Sequence, residues 1–217
     1  YRFFLCKFVG FIKISSPMIK EIEQHRSIRR YKTDPVPEQV LDEILRAGTR
    51  ASTPGNMQAY SMVVTTSPEI KEQLSPCHFN QPCVMQAPVV ITFCADLNRF
   101  SKWCRQRGAE PVYDNFAWFV NGMIDAILAS ENVALEAEAH GLGIVYLGTT
   151  IYTADRIAEV LTLPEGVVPV TTIVLGYPDG ETSLTDRLPL EAVVHRDTYR
   201  DYSPEDIDRI WATRDAS

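Results

Sequence analysis

Gly141-Leu142-Gly143-Ile144-Val145-Tyr146-Leu147-Gly148 invites comparison with the glycine-rich turn of a dinucleotide-binding unit, and the fold depends on whether that reading holds. It does not. The third glycine of G-x-G-x-x-G would fall at residue 146, which is Tyr146, and the motif should follow a strand and open a helix. Here it follows the longest helical stretch of the chain and opens an apolar run. Gly141 therefore reads as a helix stop and 143–147 as a buried strand. Tyr146-Leu147-Gly148-Thr149-Thr150 at the strand's far end is the part this leaves open. A glycine flanked by small residues there lets a flat ligand approach the backbone closely.

Upstream, residues 113–140 read as one helix with Phe116, Phe119, Val120, Met123, Ile127 and Leu128 along one side. It would be roughly 40 Å long at 1.5 Å per residue, and with few charges before Glu131 it belongs at the centre of the molecule. Residues 60–66, 88–94 and 167–175 read as strands, the last two as continuous apolar runs buried on both faces. Val40, Leu41, Ile44 and Leu45 mark a helix over 37–48, and shorter helices are expected over 18–24, after Ser67-Pro68-Glu69, over 153–161 and after Ser203-Pro204. Residues 96–112 read as charged and irregular. The mixture of two-residue and helical periods gives an α+β fold in one domain over 18–217.

A net charge of −7 and a pI near 5.1 exclude general nucleic-acid binding. The five cysteines are odd in number with no CxxC pair, and the four histidines are scattered. No disulfide framework and no metal site is expected, and the reading is cytoplasmic. The aromatic and apolar stretch over 1–17 is too short to span a bilayer. Residues 1–17 are expected to be an N-terminal extension outside the native fold, with Met18 as the natural start.

Three stretches carry candidate chemistry. His25-Arg26-Ser27-Ile28-Arg29-Arg30 puts three guanidiniums, an imidazole and a hydroxyl into six residues, a donor set suited to phosphate oxygens. Ser52-Thr53-Pro54-Gly55-Asn56-Met57-Gln58 is a donor-rich loop between helix and strand. Arg187, in Thr185-Asp186-Arg187-Leu188-Pro189, is an isolated cation in an acidic tail. Taken singly, each is also compatible with an ordinary solvated turn, loop or surface salt bridge.

In this order, with Gln81 ahead of Ala87-Pro88-Val89-Val90, the stretches resemble the nitroreductase superfamily, in particular its oxygen-insensitive nitroreductase and flavin reductase branch. The resemblance runs from about residue 22 to 199. It implies a mixed central sheet flanked by helices, a long central helix at a homodimer interface, and FMN as cofactor with NADPH or NADH as co-substrate. It further implies that His25, Arg26 and Ser27 hold the FMN phosphate and ribityl chain, with Arg187 as a second phosphate clamp. Arg29 would lie by flavin N1 and the C2 carbonyl, where a fixed cation stabilises the reduced form. Gln81 would hydrogen-bond the pyrimidine edge. The backbone of Tyr146, Leu147, Gly148 and Thr149 would approach the ring from behind, and Thr53, Asn56 and Gln58 belong to the loop that reaches in from the other subunit.

The implied activity is ping-pong reduction of a small-molecule acceptor, a nitroaromatic, quinone or free flavin, with no essential protein nucleophile or base. Two departures stand out. Thr185 occupies the place of a family lysine two residues before Arg187, and Ala59-Tyr60 replaces the usual Pro-Trp. A flavin-binding or sensor protein with little turnover is the alternative that Thr185 leaves open.

Overall fold

Val89–Asp96 is buried at every residue, Thr92 and Asp96 included, and it is one of the two inner strands of the sheet. The structure, a computed structural model, describes residues 18–215, so the expected extension over 1–17 lies outside the described residues. Helices α1 (Lys20–Glu23) and α2 (Glu38–Gly48) precede β1 (Tyr60–Thr65), α3 (Pro68–Leu74), α4 (Pro82–Gln86) and β2 (Val89–Asp96). Then come α5 (Asn98–Gln106), α6 (Phe116–Ala139), β3 (Gly143–Leu147), α7 (Ala154–Val160), β4 (Val167–Gly176) and α8 (Pro204–Asp215).

The strands pair antiparallel in the order β1-β2-β4-β3, with Val64 opposite Ile91, Ile91 opposite Ile173 and Val145 opposite Val174. A parallel bridge between Ser27 and Ile144 extends the sheet past β3 and makes it mixed. Ile91, Phe93, Ile144 and Ile173 face α2 and α6, while Val90, Val145, Leu147 and Val174 face Leu74, Val84 and Ile157 of α3, α4 and α7. Both faces are thus covered, which explains why β2 and the inner part of β4 lack alternation.

Helix α6 has 24 residues, about 36 Å of helix, and begins at the Asn115 cap, whose side chain accepts from the Trp118 N–H at 3.2 Å. Its orientation corrects the sequence reading. The buried face is made of small residues, Ala126, Ala129, Val133, Ala134 and Ala137. The large residues expected along one side are split: Phe119 and Met123 pack against the core, while Phe116 is 79% exposed, Ile127 46% and Leu128 42%. Small side chains let the middle of α6 lie close against the sheet and α2.

Residues 96–112 are likewise not irregular throughout. They hold α5, whose Phe100, Trp103 and Cys104 recur at helical spacing between exposed charges. The helix expected over 18–24 is confined to Lys20–Glu23. Thr153 does not cap α7; its hydroxyl donates to the Cys77 carbonyl at 2.7 Å. Ser67 does cap α3, accepting from the Ile70 N–H at 3.3 Å.

The chain divides between Thr182 and Ser183 into two compact units. Within the second, the Tyr202 hydroxyl donates to the Ala192 carbonyl at 2.6 Å and the His195 and Tyr199 ring centroids lie 4.3 Å apart, tilted by 32°. Ser203 starts α8, its hydroxyl accepting from the Asp206 N–H at 3.2 Å.

Candidate functional site

The Arg-rich stretch is fastened to the edge of β3. The Ile28 N–H donates to the Ile144 carbonyl at 2.8 Å, and the Ile28 side chain fills the space over Gly143. A Cβ on Gly143 would lie 2.4 Å from Ile28 Cγ1, so the second glycine of Gly141-x-Gly143 serves this contact and no dinucleotide. Tyr31 locks the turn from beneath, its hydroxyl donating to the Ile28 carbonyl at 2.5 Å. Burial, reinforced by Cys83 and opposed by Arg29, pushes that phenol well above its ordinary pKa and keeps it a donor. With Ile28 buried, Arg26 and Arg29 are turned out to solvent and Ser27 is half-buried.

Arg26 lines a cavity of about 230 Å³ with Lys20, Gln24, Glu138, Gly180 and the 141–143 backbone. His25 stands beside it, its Nδ1 2.8 Å from Glu138 Oε1. Glu138 Oε2 is buried without a partner, and burial raises this carboxyl's pKa against the lowering effect of His25. Glu138 fixes the imidazole orientation and leaves Nε2 as its remaining polar atom.

At the far end of β3 the chain enters a 3₁₀ turn over Gly148–Tyr152. The Tyr146 side chain goes to the α6 face, where its hydroxyl is 2.9 Å from Ser130 Oγ and 3.3 Å from Glu131 Oε2. Only its backbone belongs to the strand-end surface. Gly148 is exposed, and a Cβ built on it would meet nothing within 4 Å. Thr149 Oγ1 lies 2.9 Å from Nδ1 of His78, and the His78 carbonyl accepts from the Gln81 N–H at 3.2 Å. Gln81 is half-exposed at the start of α4. Burial raises the pKa of the Cys83 thiol, two residues after Gln81, and Arg29 partly opposes that rise.

The structure therefore brings Arg26, Ser27 and Arg29 alongside β3, puts Leu147, Gly148 and Thr149 at its end, and joins Gln81 to them through His78. Thr53, Asn56 and Gln58 are held elsewhere. Their loop is fixed by Asp125 of α6, which accepts from the Ala59 N–H at 2.9 Å, and by Arg99 of α5, which donates to the Tyr60 carbonyl at 3.0 Å and to the Gln58 carbonyl. Asn56 and Gln58 are left-handed, with φ of 53° and 51°. Arg187 belongs to the 183–217 unit, where it donates to Thr185 Oγ1 at 2.6 Å and to the Asp186 carbonyl at 3.0 Å.

Sequence reasoning missed His78, Glu138, Arg99 and Asp125. Only Asp125 left a signal, as the single acidic residue in the apolar first half of α6.

The arrangement is chemically specific. Cations at one end, an open glycine-backbone surface at the other and a half-exposed amide beside it fit an elongated anion with a flat heteroaromatic head, and FMN has that shape and charge. Among the described residues no group of three or more His, Cys, Asp or Glu side chains could hold a metal ion. The described cysteines Cys77, Cys83, Cys94 and Cys104 are free and buried.

Comparison with known proteins finds relatives in both sequence and fold. A sequence model of the nitroreductase family matches residues 22–177. The FMN reductase (NADPH) of Bacillus subtilis is 35% identical over 183 residues, covering 83% of this chain and 74% of that protein. A solved structure from Bacteroides fragilis superposes with a TM-score of 0.90 at 45% identity, covering 92% of this chain and 81% of the other. The Vibrio harveyi NADPH:FMN oxidoreductase complexed with NAD+ gives a TM-score of 0.82 at 31% identity, covering 88% of this chain and 82% of the other.

Proposed function

The chain belongs to the nitroreductase family, and from that premise we propose that it is an NAD(P)H-dependent FMN oxidoreductase working by ping-pong transfer to a small-molecule acceptor. The observation that carries this reading is the cation-to-glycine track along β3, from Arg26 to the open face of Gly148. Bound FMN would supply the redox chemistry, taking hydride from a nicotinamide and passing reducing equivalents to a quinone, nitroaromatic or flavin.

The chain's own residues bind and orient. Arg26, with Ser27 and the Glu138-oriented His25, would hold the phosphate end. Arg29 would place fixed positive charge where negative charge gathers on reduction, stabilising it. Gln81 would fix the pyrimidine edge, and the Leu147–Thr149 backbone would support the ring. No side chain is needed as nucleophile or general base.

The homodimer belongs to the same proposal. Helix α6 is apolar nearly all round, and such a helix is normally buried on every side. Its Ile124, Ile127 and Leu128 are exposed in the single chain, so a second copy of this chain is the partner that fits. The Thr53, Asn56 and Gln58 loop, held against α6 by Asp125, would then reach the partner's cofactor. No helix among the described residues is long and apolar enough to cross a membrane. Free buried cysteines fit a reducing compartment, and a cytoplasmic location is part of the proposal.

The test is steady-state oxidation of NADPH and NADH by FMN-loaded protein, with a quinone and a nitroaromatic as acceptors. Sustained turnover with parallel-line kinetics supports the proposal. Tight FMN with no turnover on either nicotinamide would favour a binding or sensor protein.

A further inference from the structure

His78 is wholly buried, yet it is not a bystander of the core. It sits where two separate backbone corners of the site meet. One corner is the Gln81 turn, where the Gln81 N–H closes onto the His78 carbonyl at 3.2 Å. The other is the strand end, where Thr149 Oγ1 is 2.9 Å from His78 Nδ1. The Gln81 corner departs from relaxed backbone. Phe79 and Asn80 are consecutive left-handed residues, at φ of 56° and 55°, between His78 and Gln81. Such conformations persist in non-glycine residues only where neighbouring contacts over-determine them.

We infer that His78 is a positioning residue that locks the Gln81 turn to the Thr149 strand end, so that the two polar edges offered to the flavin keep a fixed spacing. This rests on the proposed FMN site. Burial alone does not account for an imidazole here, because Nε2 is also buried and has no partner. Leucine has a similar volume and would fill the space without leaving a polar atom unpaired. What the imidazole adds is the Nδ1 bond to the Thr149 hydroxyl. Burial also lowers its pKa, to about 4, so the ring is neutral at ordinary working pH and brings no charge near the flavin. A second tie runs in parallel, from the Thr153 hydroxyl to the Cys77 carbonyl at 2.7 Å. The two corners are therefore stapled by consecutive residues, Cys77 through its backbone and His78 through its side chain.

The experiment compares His78→Leu, which keeps volume and loses the bond, with His78→Asn, whose amide can replace Nδ1. Thr149→Val and the double substitution His78→Leu with Thr149→Val complete the cycle. FMN dissociation constants come from flavin fluorescence titration, the visible flavin spectrum reports the ring environment, and thermal melts report the fold. The expected result is about a threefold to tenfold weaker FMN affinity for His78→Leu and for Thr149→Val, the range of one net hydrogen bond. The flavin band should shift in both, the double variant should be no worse than the worse single one, and His78→Asn should recover most of the loss. Thr149→Val carries the test if His78→Leu does not fold.

The inference is overturned if the two losses add, or if His78→Asn binds FMN as weakly as His78→Leu. It is also overturned if either single variant melts earlier with FMN affinity and spectrum unchanged. A parent protein that binds no FMN is a separate outcome, which overturns the proposed function on which the inference rests.

Discussion

Replacing Gly143 by alanine tests how the Arg-rich stretch is held. An added Cβ would lie 2.4 Å from Ile28 Cγ1, 2.6 Å from its Cβ and 2.9 Å from its Cγ2. Carbon atoms at rest sit about 3.5–4.0 Å apart, so the two groups must separate by roughly 1 Å or more. Ile28 cannot simply rotate away. It is β-branched and stiff at χ1, it is buried, and its N–H is bonded to Ile144. The segment carrying Arg26, Ser27 and Arg29 must therefore lift off β3. Overpacking of this kind costs about 1–3 kcal/mol, which for a chain of this length lowers the melting temperature by about 2–12 °C. Displacing one charge-assisted contact to phosphate costs about 1.5–3 kcal/mol, or about tenfold to a hundredfold in FMN affinity.

Gly148→Ala is the matched control. Its Cβ meets nothing in the protein, so the melting temperature of the cofactor-free protein should stay within about 2 °C of the parent. FMN affinity should still fall, because the methyl occupies the open surface offered to the ring. Thermal melts and flavin fluorescence titrations on both variants are sufficient. Parent-like melting and parent-like FMN affinity in Gly143→Ala would refute the packing argument, whatever Gly148→Ala does.

Other substitutions separate further parts of the account. Arg26→Ala should weaken FMN retention by about tenfold to a hundredfold, while Cys104→Ala, a buried thiol of α5, should leave it unchanged; equal retention in gel filtration would count against the phosphate assignment. Asp125 has a carboxyl pKa raised by burial and only partly restored by the Ala59 N–H, so the folded state holds its proton more tightly than the unfolded chain. Ionised Asp125 therefore costs stability above its folded pKa, and the cost is relieved as pH falls through that pKa towards the ordinary 3.8. Urea midpoints at about pH 7 and about pH 4.5 should show the parent gaining on Asp125→Asn as pH falls, whereas parallel behaviour would remove Asp125 as the source. Ile127→Glu, on the exposed face of α6, should give monomers with reduced FMN retention in sedimentation velocity; an unchanged dimer would place the interface elsewhere.

The strands were legible because burial on both faces leaves a continuous apolar run, as in Val89-Val90-Ile91-Thr92-Phe93-Cys94, and no charged residue can be tolerated there. Helix α2 was legible because its core contacts fall at one period, Val40, Leu41, Ile44 and Leu45. The direction in which α6 faces was not, since a helix apolar nearly all round has no periodicity to show which side enters the core. Helix α5 was hidden by Arg99, Lys102 and Arg105, whose charges between its aromatic positions made the segment read as irregular.

In the site, the residues that present donors to a ligand could be recognised locally, His25-Arg26-Ser27 and Tyr146–Thr149 above all. The residues that hold those donors in place could not. Glu138 is 113 positions from His25, and His78 is 71 from Thr149. Each of those pairings exists only through the close packing of β3 against its neighbours, and neither partner carries a local mark of it.

The most direct measurement is what the purified protein holds. FMN-saturated protein, freed of excess cofactor and then denatured by heat, should release one FMN per chain, identified by chromatography and mass, after showing the visible absorbance of a bound flavin. Colourless protein that releases no flavin, even after incubation with FMN, would contradict the reading of the β3 track as a flavin mononucleotide site.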